Sequence, residues 1–546
     1  MSAVDTIPAR SADARTEPEP RLLLLIFWLV FASTVAAAQF LDPGLFRKQD
    51  PDSLMRLVQV RDLLAGQGWF DFVQHRLAPP EGVSMHWSRL IDAPIAGLVL
   101  LGDLAGAGEP FALAAWPLVL LLGLMAAMLF AATSLAGRAA TLPTLVLSLT
   151  SFAPLLSFLP GSLDHHNAQL VLLVATLAVT LKVRESPLCG LVAGLFSAIS
   201  LAIGLEMLPY IALFGAFIAL QWAMTGAGGR AAQLFGLVVG AGPAALYLLA
   251  GSSQSATACD ALSWSYALPA AVAGSSLAAV VSFGRDASIG IRLLGLAASA
   301  ALAGGVFLLV APECLAGPYG SLAPELKALW LSTVSEAQPL LAFASREPVG
   351  AIATFGPPVV ALAIAILRIR AWPARWALPA ALIALAVGLS LYQVRTLPAA
   401  NALAIAVSGA WLAEIATRHN ITSLQPLRRA LPMIAGFLLV MPLVHLALAW
   451  TAVQGLTLAT GIAPVARADA PAEATAGLDD AAKECLDQSA ADLLAQVPTG
   501  QVLVPVFYGS AVLGLSDHSA VAAPYHRGGA AILDAIRAID GTPDAA

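Results

Sequence analysis

Long apolar runs constrain this chain more than any other feature. Segments of predominantly apolar character recur at 22–40, 110–134, 139–158, 166–183, 187–203, 206–223, 231–250, 266–283, 291–310, 348–368, 375–392, 397–417 and 430–452. Most are close to the roughly 20 residues that a helix needs to cross the hydrocarbon core of a bilayer. The sequence therefore predicts an α-helical polytopic membrane protein with about thirteen spans. Composition agrees: hydrophobic types make up 59% and charged types 11% of the 546 residues, where soluble domains carry about 25% charged residues. That excludes a water-soluble enzyme and a disordered chain. A net charge of −6 without a basic stripe gives no nucleic acid a surface to bind.

Loop charge sets the orientation. With the N-terminus in the cytoplasm, Arg138, Lys182, Arg184, Arg230, Arg285, Arg292, Arg368, Arg370, Arg375, Arg418, Arg428 and Arg429 all fall in cytoplasmic connections, as the positive-inside rule requires. An odd number of spans puts the C-terminal tail outside. Residues 1–21 are polar and Pro-rich, and we expect a disordered cytoplasmic tail; they do not read as a signal peptide, because no small-residue cleavage site follows a short apolar core. Residues 22–452 form the transmembrane catalytic domain, with long outer loops at 41–109 and 311–347. Residues 453–546 hold a Pro/Ala-rich linker near 463–476 and a small extracytoplasmic α/β domain. Within it Gln501–Tyr508 alternates like a strand and Gly529–Ile539 reads as a helix. Four cysteines make no disulfide scaffold. Cys259 and Cys314 both face the outer side, where an oxidising compartment permits a bond between them. Cys189 reads as an inert core residue.

Polar residues gather at the outer face. Asp50 and Asp52, in Gln49-Asp50-Pro51-Asp52-Ser53, suit a hard cation or a proton, or equally the N-cap of the helix that follows. Asp164, His165 and His166 offer a mixed oxygen and nitrogen ligand set for Mn²⁺, Mg²⁺ or Zn²⁺, or a cap with wet histidines. Glu336 lies in the polar stretch Ser332-Thr333-Val334-Ser335-Glu336-Ala337-Gln338-Pro339, which also reads as a solvated loop. Arg395 is the cation of a short outer loop, fit for a phosphate or for snorkelling to lipid headgroups. Glu206 suits a substrate hydroxyl or a wet hinge. Ala523-Pro524-Tyr525-His526-Arg527 offers polar contacts or an ordinary turn.

Taken together these clusters resemble the catalytic subunit of oligosaccharyltransferase. Asp50-Pro51 with Arg56 is similar to that family's first-loop motif. Pro80-Glu81-Gly82-Val83-Ser84-Met85-His86-Trp87 is similar to a stretch of its archaeal members, and Gly161-Ser162-Leu163-Asp164-His165-His166 to its second-loop metal motif. Thr333-Val334-Ser335-Glu336 with Gln338-Pro339 looks like its loop acid, and Val394-Arg395 falls where it places a phosphate-holding arginine. The resemblance implies a C-type glycosyltransferase fold with thirteen spans and an extracytoplasmic C-terminal domain. It implies that Asp50, Asp164, His166 and Glu336 hold Mn²⁺ or Mg²⁺, and that Arg395 with His165 meets the donor phosphate. Asp50 or Asp52 would orient or deprotonate the acceptor, with Glu336 beside them. Arg56, His86, Trp87, Glu206 and Tyr508 would contact acceptor or sugar. The family's Trp-Trp-Asp-Tyr-Gly motif corresponds here to Val504-Pro505-Val506-Phe507-Tyr508-Gly509, where only Tyr-Gly is kept.

The expected activity is metal-dependent transfer of a sugar or glycan from a polyprenyl-(di)phosphate donor to a lipid, polysaccharide or protein acceptor. It would proceed on the outer face of a bacterial inner membrane, in a monomeric protein. Transfer to asparagine is an alternative that the altered motif disfavours. A lipid-linked sugar flippase is another, but flippases place polar groups near the midplane in paired repeats, and neither is evident here.

Overall fold

The computed structural model describes residues 19–41, 50–251, 257–419, 427–460 and 492–541. Gln49, most of the expected N-terminal tail and the 463–476 linker lie outside the described residues. The first described helix is α1 (Pro20–Leu41), and the first long loop follows it. There α2 (Pro51–Leu64), a hairpin of β1 (Val73–Gln74) and β2 (Val83–Ser84), and α3 (Arg89–Asp103) fold together. Then come α4 (Gly108–Ala136), the bent pair α5 (Thr141–Thr150) and α6 (Phe152–Leu155), α7 (His166–Thr180), α8 (Pro187–Ile203), α9 (Leu208–Thr225), α10 (Gly229–Ala250), α11 (Trp264–Phe283) and α12 (Ile289–Val310). The second outer loop holds two short helices, α13 (Pro324–Leu329) and α14 (Leu340–Arg346). It leads to α15 (Pro348–Ile369), α16 (Pro373–Tyr392), α17 (Leu397–Arg418), α18 (Leu427–Val440) and α19 (Pro442–Thr460).

Every predicted apolar segment falls on one of these helices or bent pairs. Among the described residues, 9 helices are long and apolar enough to cross a membrane, or up to 11 if each bent pair is one span. α7 and α8 are apolar but shorter. One bend, of 67°, falls between α18 and α19, where Pro442 disfavours helix at Met441 and brings no N–H to the ladder.

α17 is the axis of the bundle. It is buried from Leu397 to Ala413 on almost every face, and alanine is the commonest residue among its buried positions. Small side chains let neighbouring backbones close in, which is how helices associate where no water drives them together. α12 is the opposite case: only 6% of its apolar window is buried inside the protein, so its leucines face lipid.

The tail departs from its expected form. The strand reading at Gln501–Tyr508 shrinks to β3 (Gln501–Val502), which pairs in parallel with β4 (Ser519–Ala520). Val506–Tyr508 is a tight helical turn opening α20 (Gly509–Leu515), and α21 (Gly529–Asp540) matches the helical expectation. The tail also shares its core with the outer loops. Val512, Leu513, Ala520 and Tyr525 pack with Met55, Val58, Leu77 and Trp87 of the first loop. Ile532 and Ala535 pack with Leu326 and Trp330 of the second.

Candidate functional site

Asp50 caps α2. Its Oδ1 accepts from the Asp52 and Ser53 backbone N–H groups at 3.0 and 2.8 Å, and its Oδ2 accepts from Ser53 Oγ at 2.7 Å. The capping alternative therefore holds as geometry, because a helix start leaves backbone donors without partners. Ser53 Oγ in turn accepts from Leu163 N–H at 3.0 Å, which lashes the start of α2 to the second loop and brings Asp50 and Asp52 beside Asp164. Asp52 has no capping duty. Enclosure pushes its carboxyl well above the ordinary range, and the carboxylates of Asp164, Glu336 and Asp50 add to the rise.

Asp164 lies at the entry to α7, between the two histidines. His166 Nε2 is 3.4 Å from its Oδ2, a spacing that two ligands of one cation adopt. His165 is buried, with Nδ1 2.7 Å from Asp164 Oδ1 and Nε2 3.2 Å from Glu206 Oε1. Both its nitrogens thus lie within ion-pair distance of protein carboxylates, and burial's tendency to lower its pKa is overcome by those two acids, which hold it up to about 10. His165 braces Asp164 and Glu206 rather than lining the cavity, unlike the phosphate contact expected of it.

A cavity of about 350 Å³ opens beside these groups. His166, Glu336 and Arg395 line it together with Leu170, Met207 and Phe343. The Val394–Thr396 turn that carries Arg395 is tied to the Glu336 loop, for Val394 N–H donates to Gln338 O at 3.0 Å. Arg395 Nη1 donates to Tyr319 Oη at 3.4 Å. Around this space Asp50, Asp52, Asp164, Glu206 and Glu336 outnumber the cations His165 and Arg395. Carboxylates crowded together favour a cation, and the oxygen and imidazole donors of Asp164 and His166 fit a divalent ion.

Other expected contacts sit further back. Arg56 is wholly buried, pairs with Asp92 at 2.7 Å and lies over the Trp87 ring at 4.3 Å. It is a strut beneath the site and does not line the cavity. Trp87 is buried between Arg56, the His165 ring and the edge of Tyr525. Tyr508 makes no side-chain hydrogen bond among the described residues. The tail residue that reaches the site is Tyr525, whose hydroxyl donates to Pro51 O at 2.9 Å and lies 3.0 Å from Ser510 Oγ. Its sequence signal was the polar Tyr-His-Arg run at 525–527.

A second cluster adjoins the first. Asp260 accepts from His526 Nε2 at 2.6 Å and from Arg527 Nε and Nη2 at 2.7 and 2.8 Å, with His86 stacked 4.9 Å from the His526 ring. His86, Asp260 and His526 are close enough to hold a metal, but the guanidinium already forks both oxygens of Asp260. Beside Asp260, Cys259 is disulfide-bonded to Cys314, and Cys189 is free and half-buried.

The fold and this cluster at one end of the helices define a multi-pass membrane protein built on the oligosaccharyltransferase fold. No protein-family model matches the chain, and no curated protein matches it in sequence. Solved structures do. The oligosaccharyltransferase AglB of Archaeoglobus fulgidus, in complex with an inhibitory peptide and a dolichol-phosphate, superposes with a TM-score of 0.64 over 93% of this chain at 13% identity. The Archaeoglobus fulgidus enzyme in its apo form gives 0.66 over 92%, and its complex with Zn and sulfate 0.58 over 91% at 14% identity. The chain spans 62 to 65% of the length of those proteins. The fold expected from the motifs is thereby borne out.

Proposed function

We propose that this protein is a metal-dependent glycosyltransferase that takes a sugar or glycan from a polyprenyl-(di)phosphate donor. The observation that carries the reading is the cavity in which Arg395 faces His166 and Glu336 with apolar side chains around them. Such a space suits an amphiphile, with phosphate at the arginine and hydrocarbon along the helix ends. The neighbouring fold was solved with a dolichol-phosphate in one case and with Zn and sulfate in another, which supports a phosphate-bearing lipid and a divalent cation here.

In this reading Arg395 forks the donor phosphate, and Asp164, His166 and Glu336, with the remaining lone pairs of Asp50, hold Mn²⁺ or Mg²⁺. The ion would supply positive charge for the leaving phosphate. Asp52, the carboxylate without a capping role, takes the proton of the acceptor nucleophile; its raised affinity for a proton suits that duty. Trp87 and Arg56 keep the floor rigid, and Glu206 and His86 are the candidates for sugar hydroxyls. The acceptor is a lipid, polysaccharide or protein. Tyr508 makes no hydrogen bond to the cluster, so the retained Tyr-Gly pair gives asparagine transfer no added support. The protein works as a monomer in a bacterial inner membrane, with its N-terminus cytoplasmic. Residues 22–452 carry the site, and the small C-terminal domain lies on the periplasmic side.

The test is the polyprenyl-linked lipid pool, read by mass spectrometry in a strain lacking the gene. Complementation with the wild type should remove a glycosylated polyprenyl phosphate that Asp52→Asn and Arg395→Ala leave in place. An unchanged pool in every strain overturns the donor assignment. A pool that both variants clear like the wild type overturns the chemistry and favours transport.

A further inference from the structure

Asp260 takes no part in the roles above, yet it is built with care. Its side chain is 10% exposed, a depth at which an unpaired carboxylate is costly. Three charge-assisted hydrogen bonds from His526 and Arg527 satisfy it, two of them the parallel fork of a guanidinium. The clamp joins distant pieces of chain. Arg527 Nη1 also donates to Met85 O of the first loop at 3.2 Å. The adjacent Cys259–Cys314 bond ties the same spot to the second outer loop.

Two arms run from the clamp, one to the start of α2 and one to the cavity. Along one, Tyr525, the residue before His526, sets its hydroxyl on Pro51 O at the start of α2, where Asp50 and Asp52 sit. Along the other, the His526 ring meets Tyr319 edge-on, 5.4 Å between centroids at 90°. Tyr319 Oη accepts the only hydrogen bond that the Arg395 side chain makes among the described residues, and its ring lies 5.9 Å from that guanidinium. An arginine with a single neutral partner depends on that partner for its direction.

We infer that Asp260 is a positioning residue for Arg395, acting through His526 and Tyr319, so that the phosphate end of the cavity is set only when the C-terminal tail is docked. The inference rests on the reading of Arg395 as a phosphate-binding group. It assigns the tail a duty toward the donor, in addition to any it has toward the acceptor.

The experiment measures binding of dolichyl phosphate to the purified full-length chain in lipid nanodiscs. Arg395→Ala should abolish binding. Asp260→Asn should weaken it about tenfold, in the range that removing an outer partner of a site residue costs, with the disulfide and the melting temperature retained. The double variant Asp260→Asn with Arg395→Ala should bind no worse than Arg395→Ala alone, since a residue acting through another shows no independent loss. Asp260→Glu should recover part of the affinity. If Asp260→Asn does not fold, Tyr319→Phe serves instead: it keeps the ring on His526, removes the oxygen from Arg395, and should weaken binding by a similar factor. Wild-type affinity in Asp260→Asn, or in Tyr319→Phe where that replaces it, overturns the inference and leaves the proposed function standing. A wild type that does not bind, or an Arg395→Ala that binds equally well, overturns the reading of Arg395 itself.

Discussion

Asp50 and Asp52 stand two residues apart and carry different burdens. The cap on α2 occupies Asp50, and asparagine caps as well as aspartate. Asp50→Asn should therefore leave stability nearly unchanged, while Asp50→Ala should cost about 1 kcal/mol; thermal unfolding reads the difference. Asp52→Asn should leave stability unchanged or raise it, because it removes a carboxyl crowded by Asp164, Glu336 and Asp50. It should also cut the transfer rate by about 10²-fold or more if Asp52 takes the acceptor proton. A rate left intact in Asp52→Asn would move that role to Asp50. His86 supplies a second residue-scale prediction. Burial holds its pKa well below 6.5, and His526, Arg527 and His165 push the same way against Asp260. Below pH 6.5 the unfolded chain takes a proton that folded His86 refuses. Stability must then fall as pH falls from about 6.5, by up to about 1.4 kcal/mol per unit for this one group. Between pH 7.5 and 5.5 the wild type should therefore lose melting temperature relative to His86→Gln, in which this contribution is absent.

Among the elements, the docking of α20 onto α2 turns on Arg76. It donates to Ser516 O at 2.8 Å, His518 O at 3.2 Å and Leu513 O at 2.7 Å, while Arg61 donates to Gly514 O at 2.6 Å. These are the carbonyls at the C-terminal end of α20, which a helix leaves unpaired and which favour a cation. Arg76→Ala should loosen the tail by about 2 kcal/mol and expose it to limited proteolysis while the membrane helices stay protected. Equal protease resistance in wild type and variant would show that the shared apolar core alone holds the tail. How the elements read from sequence follows from the same physics. Bilayer thickness forces long apolar runs, so the helices were legible to within a few residues. Gln501–Tyr508 was misread because Pro505 and the Tyr508-Gly509 corner break the ladder; Gly509 packs so closely on Ala522 that no side chain fits there. The acids and Arg395 were legible as polar groups in an apolar face. What sequence could not say is which groups spend themselves on one another: that Arg56 is taken by Asp92 and His165 by Asp164 and Glu206 depends on contacts between segments 36 and 41 residues apart.

At the scale of the whole molecule, the bundle supplies a low-dielectric floor and the loops supply its charge. His166, Glu336 and Arg395 reach the cavity from three separate segments, and Asp164 touches His166 while Asp52 feels Glu336 and Asp164 from a fourth, so no single helix can hold the site. Acids that converge from separate segments repel one another, and the proposed cation would relieve that repulsion. That fixes what removing the metal should do. Treating the purified protein with a chelator should cut transfer by about 10²-fold or more, since a bound ion supplies several kcal/mol of charge stabilisation. It should also lower the melting temperature, because the carboxylates are left facing each other. Adding Mn²⁺ or Mg²⁺ should restore both. In Asp164→Asn with His166→Ala the melting temperature should no longer respond to either ion. A transfer rate and a melting temperature indifferent to chelation would mean that Arg395 and the histidines balance these acids unaided, and the metal would have to be given up.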